Sequence, residues 1–337
     1  MKPFEKIRGK VRPLILALLW FLMTGATGPL SPSEKRPGVV SLGVFGDLPY
    51  TAAEEATFPE LIQEMNQDRE LDFVIHVGDF KDGGFTRCSD PVFQRAKAWF
   101  DLFQHPLIYT PGDNEWTDCH RLGLGKYDPL ERLARLRQIF FEGEQSLGQR
   151  PLPIVRQSGD PAYTEFRENA RWIMEGVVFA TLHVVGSNND LGRTAKGDAA
   201  HRRRMTATLS WMKDAFALAR TQGMGAVVLM MQANPKFDEK PARRTGYNAF
   251  LSELEAEARE FKKPVLLVHG DTHTFRVDRP FNGKQNGRPV ENLTRLETFG
   301  SPHVGWVKVT IDPGAAAPFK IEPAGSFTPL SDRFLRP

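Results

Sequence analysis

The chain is poor in the features that mark several common classes of protein. Only two of its 337 residues are cysteine, Cys88 and Cys119, and their spacing does not resemble a zinc site. There is no Gly-x-Ser-x-Gly motif and no glycine-rich phosphate loop, which argues against a serine hydrolase and against the common nucleotide-binding folds. Its composition, 41% hydrophobic and 25% charged residues, is not typical of collagen, coiled coil or bulk disorder. It predicts a globular chain with a sizeable core.

The most apolar run, residues 14–26, is shorter than the ~20 residues that a membrane-spanning helix needs. It follows the basic segment MKPFEKIRGKVR and ends in the small residues Gly25 and Ala26. This layout predicts a signal peptide over residues 1–26, with cleavage between Ala26 and Ser31. An uncleaved membrane anchor is the alternative. A signal peptide implies a periplasmic or secreted protein.

The net positive charge comes from the same segment. Residues 1–26 carry five basic side chains and one acidic side chain, so their removal changes the formal net charge from +3 to −1. The basic balance therefore gives no support for a nucleic-acid partner. We expect neither nucleic-acid binding nor stable membrane association after cleavage.

Both cysteines lie in the portion that would be exported. Because an exported chain matures where disulfides persist, we expect one bridge between Cys88 and Cys119. Two free thiols are the alternative.

Apolar runs of strand length alternate with stretches of helical periodicity, which predicts an α/β sheet. The predicted strands include residues 39–45, 71–77, 106–110, 170–190, 226–235, 264–277 and 303–313. Helices are expected at 58–67, 91–103, 130–141, 206–220 and 252–263. We see no clear linker, so we predict one domain over residues 38–313, followed by a proline-rich tail over 314–337.

Polar loops follow four of the predicted strands. Asp47 lies in GDLPY, Asp79 in GDFKD, Asn114 in GDNEW, and Asp271 and His273 in HGDTH. One Gly-Asp pair alone is ordinary turn chemistry. Four such loops at the carboxyl ends of strands in one sheet instead predict a site where oxygen and imidazole ligands converge on a cation.

In their order and spacing these motifs resemble the calcineurin-like metallophosphoesterases, including the purple acid phosphatase branch. The resemblance covers residues 39–312 and implies a four-layer α/β/β/α sandwich of two mixed sheets flanked by helices. It also implies that Asp47 is the first metal ligand and Asp79 the carboxylate that bridges two metals. Asn114 would be the amide ligand and His273 the last imidazole ligand.

Other positions depart from the family pattern. Pro49 stands where many members have a histidine, and Asp82 takes the place of a tyrosine ligand, as an oxygen ligand or as an ordinary turn residue. Glu115 replaces the catalytic histidine, Gln232 stands near a histidine ligand, and Asp271 replaces another. These changes shift the ligands from imidazole toward oxygen, which favours Mg²⁺, Mn²⁺ or Ca²⁺ over Zn²⁺ or weakens the second metal position.

The activity that the resemblance implies is hydrolysis of a small phosphate mono- or diester by a metal-bound hydroxide, with one or two divalent ions of Mn, Fe, Mg, Ca or Zn. Glu115 would donate the proton to the leaving group if burial raises its pKa; alternatively, it is a ligand or an ion-pair partner. Arg276 is a candidate for phosphate binding, or else a charge on a strand face. The alternative function is a catalytically impaired binding protein with a structural cation.

Three further histidines and one basic run are expected to have mainly structural roles. We expect His76 and His183 to pack in the core, and His269 either to orient a ligand or to be buried structurally. The run HRRR, residues 201–204, is expected on a solvated helix face; a clamp for an anionic substrate is the alternative.

The N-terminal pattern makes a direct prediction about processing. The mature protein recovered from its native source should lie outside the cytoplasm and should lack residues 1–25, as measured by intact mass. A soluble cytoplasmic form that retains Met1–Gly25 would contradict it.

Overall fold

The computed structural model describes residues 36–283 and 287–325. These residues belong to the compact unit Arg36–Pro337, and the predicted signal peptide falls outside them. Among the described residues, no helix combines the length and the apolar character that crossing a membrane requires.

Twelve strands in the described ranges form two sheets. They are β1 (Val40–Phe45), β2 (Phe73–His76), β3 (Leu107–Tyr109), β4 (Val155–Arg156), β5 (Ala170–Met174), β6 (Val177–Thr181), β7 (Ala226–Met230), β8 (Val265–His269), β9 (Arg276–Asp278), β10 (Leu293–Glu297), β11 (Trp306–Ile311) and β12 (Phe319–Ala324). The first sheet has the order β12-β11-β1-β2-β3, and the second has the order β4-β5-β6-β7-β8-β10-β9. Both are mixed, with parallel pairs such as β1–β2 and β7–β8 and antiparallel pairs toward the edges.

Helices cover the outer face of each sheet. They are α1 (Ala52–Gln67), α2 (Asp90–Phe100), α3 (Pro129–Phe140), α5 (Ala195–Thr221) and α6 (Asn248–Phe261). The single turn α4 (Gly186–Asn189) has left-handed residues at Ser187 and Asn188 and contacts the loop after β3. Apolar residues of α1, α2 and α3 pack in one core with the first sheet, and those of α5 and α6 pack in another core with the second sheet.

A third core lies between the two sheets. Val40, Leu42 and Val44 of β1 share it with Phe179 of β6 and Leu266 of β8, because alternate strand residues point to the same face. The layers are therefore helices, sheet, sheet and helices. This arrangement confirms the four-layer sandwich that the motif resemblance implied.

Three strands were not predicted from the sequence: β4, β10 and β12. β10 lies between β8 and β9, and β12 pairs antiparallel with β11 in the register Ile311↔Phe319. Residues 319–324 of the predicted tail over 314–337 form β12, an edge strand of the first sheet, and residues 326–337 lie outside the described ranges. Pro323 and the charged residues beside it weaken the strand pattern in the sequence.

The predicted disulfide between Cys88 and Cys119 is present, and both residues are fully buried. It joins the loop after β2 to the loop after β3. Closing a loop of 31 residues should stabilise the fold by roughly 3–4 kcal/mol on the chain-entropy estimate. The bridge also fixes the two loops that carry Asp79 and Asn114 relative to each other.

His76 lies in the core, as expected. Its Nδ1 accepts a hydrogen bond from the backbone N–H of Gly78 at 3.1 Å, so Nε2 carries the proton and faces the Leu48 carbonyl at 3.4 Å. The ring meets Phe45 edge to face with centroids 4.7 Å apart. Burial lowers the pKa of His76 to about 3, so the folded protein holds this imidazole neutral.

The neutral His76 predicts a loss of stability in acid. An unfolded histidine takes up its proton near pH 6.5, so the contribution of His76 is complete above pH 6.5 and is lost as pH falls toward 3. The free energy of unfolding should fall by about 2 kcal/mol between pH 6.5 and 5 from this residue alone. Urea unfolding at pH 7 and pH 5 checks this, and His76→Gln should lose less by that amount. An equal loss in both proteins would contradict it.

Candidate functional site

Five carboxyl groups meet where strands of both sheets end, and we call them the acidic cluster: Asp47, Asp79, Asp113, Glu115 and Asp271. Asp47 follows β1, Asp79 follows β2, Asp113 and Glu115 follow β3, and Asp271 follows β8. The first four are buried, and Asp271 is half-buried. The predicted convergence of the strand-end loops is therefore found in the fold.

The backbone at this site is held in a conformation that side chains seldom adopt. Asp47, Asp79, Asp271 and His273 have φ values of 54°, 60°, 84° and 58°. Left-handed residues other than glycine are uncommon, and they concentrate where the surrounding structure fixes a functional geometry. These sharp turns aim the four side chains at one region.

Asp47 and His273 form one side of the cluster. The backbone N–H of Asp271 donates to both carboxylate oxygens of Asp47 at 3.1 Å. His273 Nδ1 lies 2.6 Å from the carbonyl of Ser301, which only accepts, so Nδ1 carries the proton. Nε2 is then the ring nitrogen directed inward, 3.6 Å from Asp47 Oδ1. This is how a protein orients an imidazole that serves as a metal ligand.

Asp79 is surrounded by hydrogen-bond donors. Its Oδ1 accepts from the backbone N–H of Asn114 at 3.0 Å. Its Oδ2 accepts from Gln232 Nε2 at 3.0 Å and from the hydroxyl of Tyr50 at 3.4 Å. Burial, followed by the neighbouring charges of Asp113 and Glu115, raises the pKa of Asp79 well above its usual range.

Gln232 lies in the cluster but does not offer it an oxygen. Its Oε1 accepts from the backbone N–H of Gly186 at 2.6 Å, and its Nε2 donates to Asp79 Oδ2 and to Asp113 Oδ1 at 3.1 Å. In this conformation Gln232 therefore offers the cluster hydrogen-bond donors and not the oxygen of the predicted metal ligand. The sequence showed an amide at this position but not which end of it faces the carboxylates.

Asn114 is also turned away from its predicted role. Its Nδ2 donates to the Tyr50 hydroxyl and to the carbonyl of Lys81, both at 3.1 Å. Its Oδ1 lies against Gly83, where an added Cβ would overlap it. In this orientation Asn114 contacts the acidic cluster only with its backbone N–H, which donates to Asp79.

The carboxylate of Asp82 is bonded within a turn of its own loop. It accepts from the backbone N–H groups of Gly84 at 2.8 Å, Phe85 at 2.5 Å and Thr86 at 2.9 Å. Of the two alternatives that the sequence left open, the structure therefore supports the turn.

Glu115 is enclosed behind Asp79. Its Oε1 accepts from the backbone N–H of Phe80 at 2.8 Å, and the residue has no exposed surface. Burial raises the pKa of Glu115, as a proton donor would require. A side chain with no exposed surface does not reach a leaving group, however, so the structure does not support the predicted catalytic role.

The other predicted positions lie off the cluster. Arg276 faces Glu297, with 3.8 Å between Nε and Oε2, which supports the strand-face alternative. His183 is buried against Glu168 at 2.6 Å, as a core residue. His269 is buried beside the carbonyl of Gly270. The run 201–204 is only half solvated, because His201 and Arg204 are buried and bind the carbonyl of Asn189.

Asp113 and Ser187 were not among the site residues predicted from the sequence. The hydroxyl of Ser187 lies 2.8 Å from both Asp113 Oδ2 and Asp118 Oδ1. A single hydroxyl hydrogen serves one of these acceptors, so a proton on one carboxyl completes the pair of bonds. Burial, with the charges of Asp271 and Asp118, raises the pKa of Asp113 to about 8. The signals were present in the crowded GDNEW loop and in the SNND turn after β6.

Comparison with known proteins identifies the family. The profile of the calcineurin-like phosphoesterases matches residues 40–275, and the chain belongs to this family. Among solved structures, PhoD aligns with a TM-score of 0.53 and 14% identity over 84% of this chain and 65% of that one. The chain thus spans slightly less than two thirds of the length of PhoD. GAP50, the anchor in the inner membrane complex of Plasmodium, aligns with a TM-score of 0.48 and 11% identity over 86% and 90%. No curated protein gives a significant sequence match.

The family implies divalent cations, and the donors of the acidic cluster fit a hard cation by their chemistry. The carboxylates of the cluster lie close enough to raise one another's pKa. The nearby ammonium group of Lys81 donates to the backbone carbonyls of Asp82 and Asn114 and not to these carboxylates. Oxygen donors with one imidazole suit Mg²⁺, Mn²⁺ or Ca²⁺. Within residues 36–283 and 287–325, no three His, Cys, Asp or Glu side chains form a ready coordination shell.

Gly112 leaves the space that Asp79 occupies. A Cβ added at Gly112 would overlap Asp79 Oδ1 and lie 2.5 Å from the backbone nitrogen of Asp79. Gly112→Ala should therefore displace Asp79 and lower the free energy of unfolding by roughly 1–3 kcal/mol. It should also weaken the binding of Mn²⁺.

Chemical unfolding and Mn²⁺ titration check this prediction. Gly159→Ala is the matched control, because a Cβ added there meets no atom within 4 Å. Equal stability and equal Mn²⁺ affinity in the two variants would show that the contact between Gly112 and Asp79 does not shape the site.

Proposed function

We propose that the protein is an exported, cation-dependent phosphoesterase that hydrolyses a small phosphate mono- or diester. The observation that carries the proposal is the convergence of Asp47, Asp79, Asp271 and His273 at the strand ends of a calcineurin-like phosphoesterase fold. Membership of the family supports phosphoesterase-like chemistry. Export and the class of ester are part of the proposal.

Four side chains would hold the cation: Asp47, Asp79, Asp271 and His273. When bound, a divalent cation lowers the pKa of a bound water and offsets the charge that develops on phosphate oxygens. The chain itself fixes these ligands. The Asp271 N–H orients the carboxylate of Asp47, the Ser301 carbonyl fixes the tautomer of His273, and the Asn114 N–H holds Asp79.

Tyr50 is the residue best placed to donate a proton or a hydrogen bond to substrate. Its ring packs against His273 with centroids 5.2 Å apart, and its hydroxyl lies at the half-buried edge of the cluster beside Asp79. Burial and the charge of Asp79 raise the pKa of Tyr50 well above its usual value, so the hydroxyl keeps its proton. In this proposal Tyr50 takes the role that Glu115 is too enclosed to perform.

Two features support export to the periplasm or beyond. One is the basic and then apolar N-terminal pattern of residues 1–26. The other is the buried disulfide between Cys88 and Cys119, because disulfides persist in oxidising compartments. The substrate would then be an extracytoplasmic phosphate ester.

A binding protein with one structural cation is the second candidate. The observation that favours it is the orientation of the amides, since Gln232 and Asn114 turn N–H groups and not oxygens toward their acidic neighbours and Tyr50. Such a protein would bind a cation and hydrolyse no ester.

Substitution of the shared ligands tests the proposed activity. Asp79→Asn and His273→Ala should each reduce cation-dependent hydrolysis by at least ~10²-fold, a loss of about 2.7 kcal/mol of transition-state stabilisation. Both should also reduce the amount of Mn²⁺ bound. The measurement is kcat/KM on a panel of phosphate mono- and diesters with Mn²⁺, Mg²⁺ or Ca²⁺, together with bound metal by elemental analysis.

Asp82→Asn is the matched control, because it makes the same chemical change in a turn off the cluster and should keep both properties. If Asp79→Asn retains full metal content and full activity, the site is placed wrongly. If the wild-type protein binds a cation and hydrolyses nothing on the panel, the binding-protein function replaces the proposed one.

A further inference from the structure

The orientation of the Gln232 side chain is fixed by its three partners. The backbone N–H of Gly186 can only donate, and it lies 2.6 Å from Oε1. The carboxylates of Asp79 and Asp113 lie 3.0 and 3.1 Å from Nε2. Rotating the amide by 180° would set its N–H₂ against the Gly186 N–H and its oxygen against two carboxylates. Only the observed orientation satisfies all three neighbours.

This amide fills the position between two carboxylates that a cation would otherwise bridge. Both of its N–H groups are used, one on Asp79 Oδ2 and one on Asp113 Oδ1. A cation placed there would face the hydrogens of the amide. To admit one, Gln232 would have to leave both carboxylates and the buried N–H of Gly186, which costs three hydrogen bonds.

The other side of the cluster has no such donor between its ligands. His273 Nε2 and Asp47 Oδ1 are 3.6 Å apart, and Nε2 is the ring nitrogen left to bind a cation because Nδ1 faces the Ser301 carbonyl. Two ligand atoms about 2.1 Å from one ion are roughly 3 Å apart when they subtend a right angle. A small inward movement of His273 would bring its Nε2 and Asp47 Oδ1 to that separation. The Asp271 N–H holds Asp47 in place but leaves each oxygen a further lone pair.

We propose that the site binds one divalent cation, on the side of Asp47 and His273, and that the Gln232 amide takes the place of a second cation between Asp79 and Asp113. This inference rests on the proposed function in one respect, because it takes the acidic cluster to be the cation site. It deepens that function by making the enzyme mononuclear, and it assigns Gln232 as the residue that sets the number of metals.

Gln232→Glu separates this proposal from the alternatives. The new side chain has nearly the same shape, and one oxygen can still accept from the Gly186 N–H. The other oxygen replaces the N–H₂ group and joins Asp79 and Asp113 as a third carboxylate ligand. Bound Mn²⁺ should rise from one ion per chain in the wild-type protein to two in this variant. Gln63→Glu, which adds the same charge at an exposed position on α1, should stay at one.

The measurement is Mn²⁺ bound at saturation by equilibrium dialysis of the purified protein, with electron paramagnetic resonance to detect coupling between two ions. Gln232→His is a second variant with the same expectation of two ions, in case three carboxylates beside one another prevent folding. Two ions in the wild-type protein, or one ion in both folded Gln232 variants, would overturn the proposal.

The outcomes also separate this inference from the proposed function. One ion in the wild type and two in Gln232→Glu, without hydrolysis of any ester, would support the mononuclear site and reject the phosphoesterase. Two bound ions in a wild-type protein that hydrolyses an ester would support the phosphoesterase and reject the mononuclear site. No bound ion with Mn²⁺, Mg²⁺ or Ca²⁺ would overturn the inference.

Discussion

The burial of five carboxyl groups at one point is the constraint on which the rest of this structure depends. Removing an ionised carboxylate from water costs on the order of several kcal/mol unless donors or a cation compensate it. The chain supplies backbone donors from Asp271 and Asn114, a side-chain donor from Gln232 and a hydroxyl from Ser187. Each comes from a different loop, so the loops have to be held in fixed relative positions.

The fold holds these loops with devices outside the cluster. The disulfide between Cys88 and Cys119 joins the two loops of the first sheet. On the second sheet, the four residues Ser187–Asp190 are all left-handed, with φ between 50° and 59°, although each such residue costs roughly 1–2 kcal/mol. Buried His201 and Arg204 bind the carbonyl of Asn189 and hold this turn, which places Ser187 on Asp113. The left-handed turn thus lowers the stability of the fold while it positions side chains that face the cluster.

The strand-end aspartates were predictable because two local signals coincide: an apolar run of strand length and a Gly-Asp pair directly after it. The disulfide was predicted from a pair of cysteines in an exported chain, and the core position of His76 from its place within an apolar strand. What sequence reasoning missed depends on distant partners. The orientation of Gln232 is set by Gly186, 46 residues away in the chain. β12 was missed because a proline and charged residues hide an edge strand whose pairing is decided by β11.

The acidic cluster therefore combines one side arranged for a cation with another side closed by an amide. The most direct measurement of this account is a crystal structure of the protein grown with Mn²⁺, with the anomalous signal of manganese located in the cluster. A site for one cation predicts one anomalous peak per chain, in contact with Asp47 and His273, while the Gln232 amide still bridges Asp79 and Asp113. A second peak between Asp79 and Asp113, with Gln232 displaced, would contradict it.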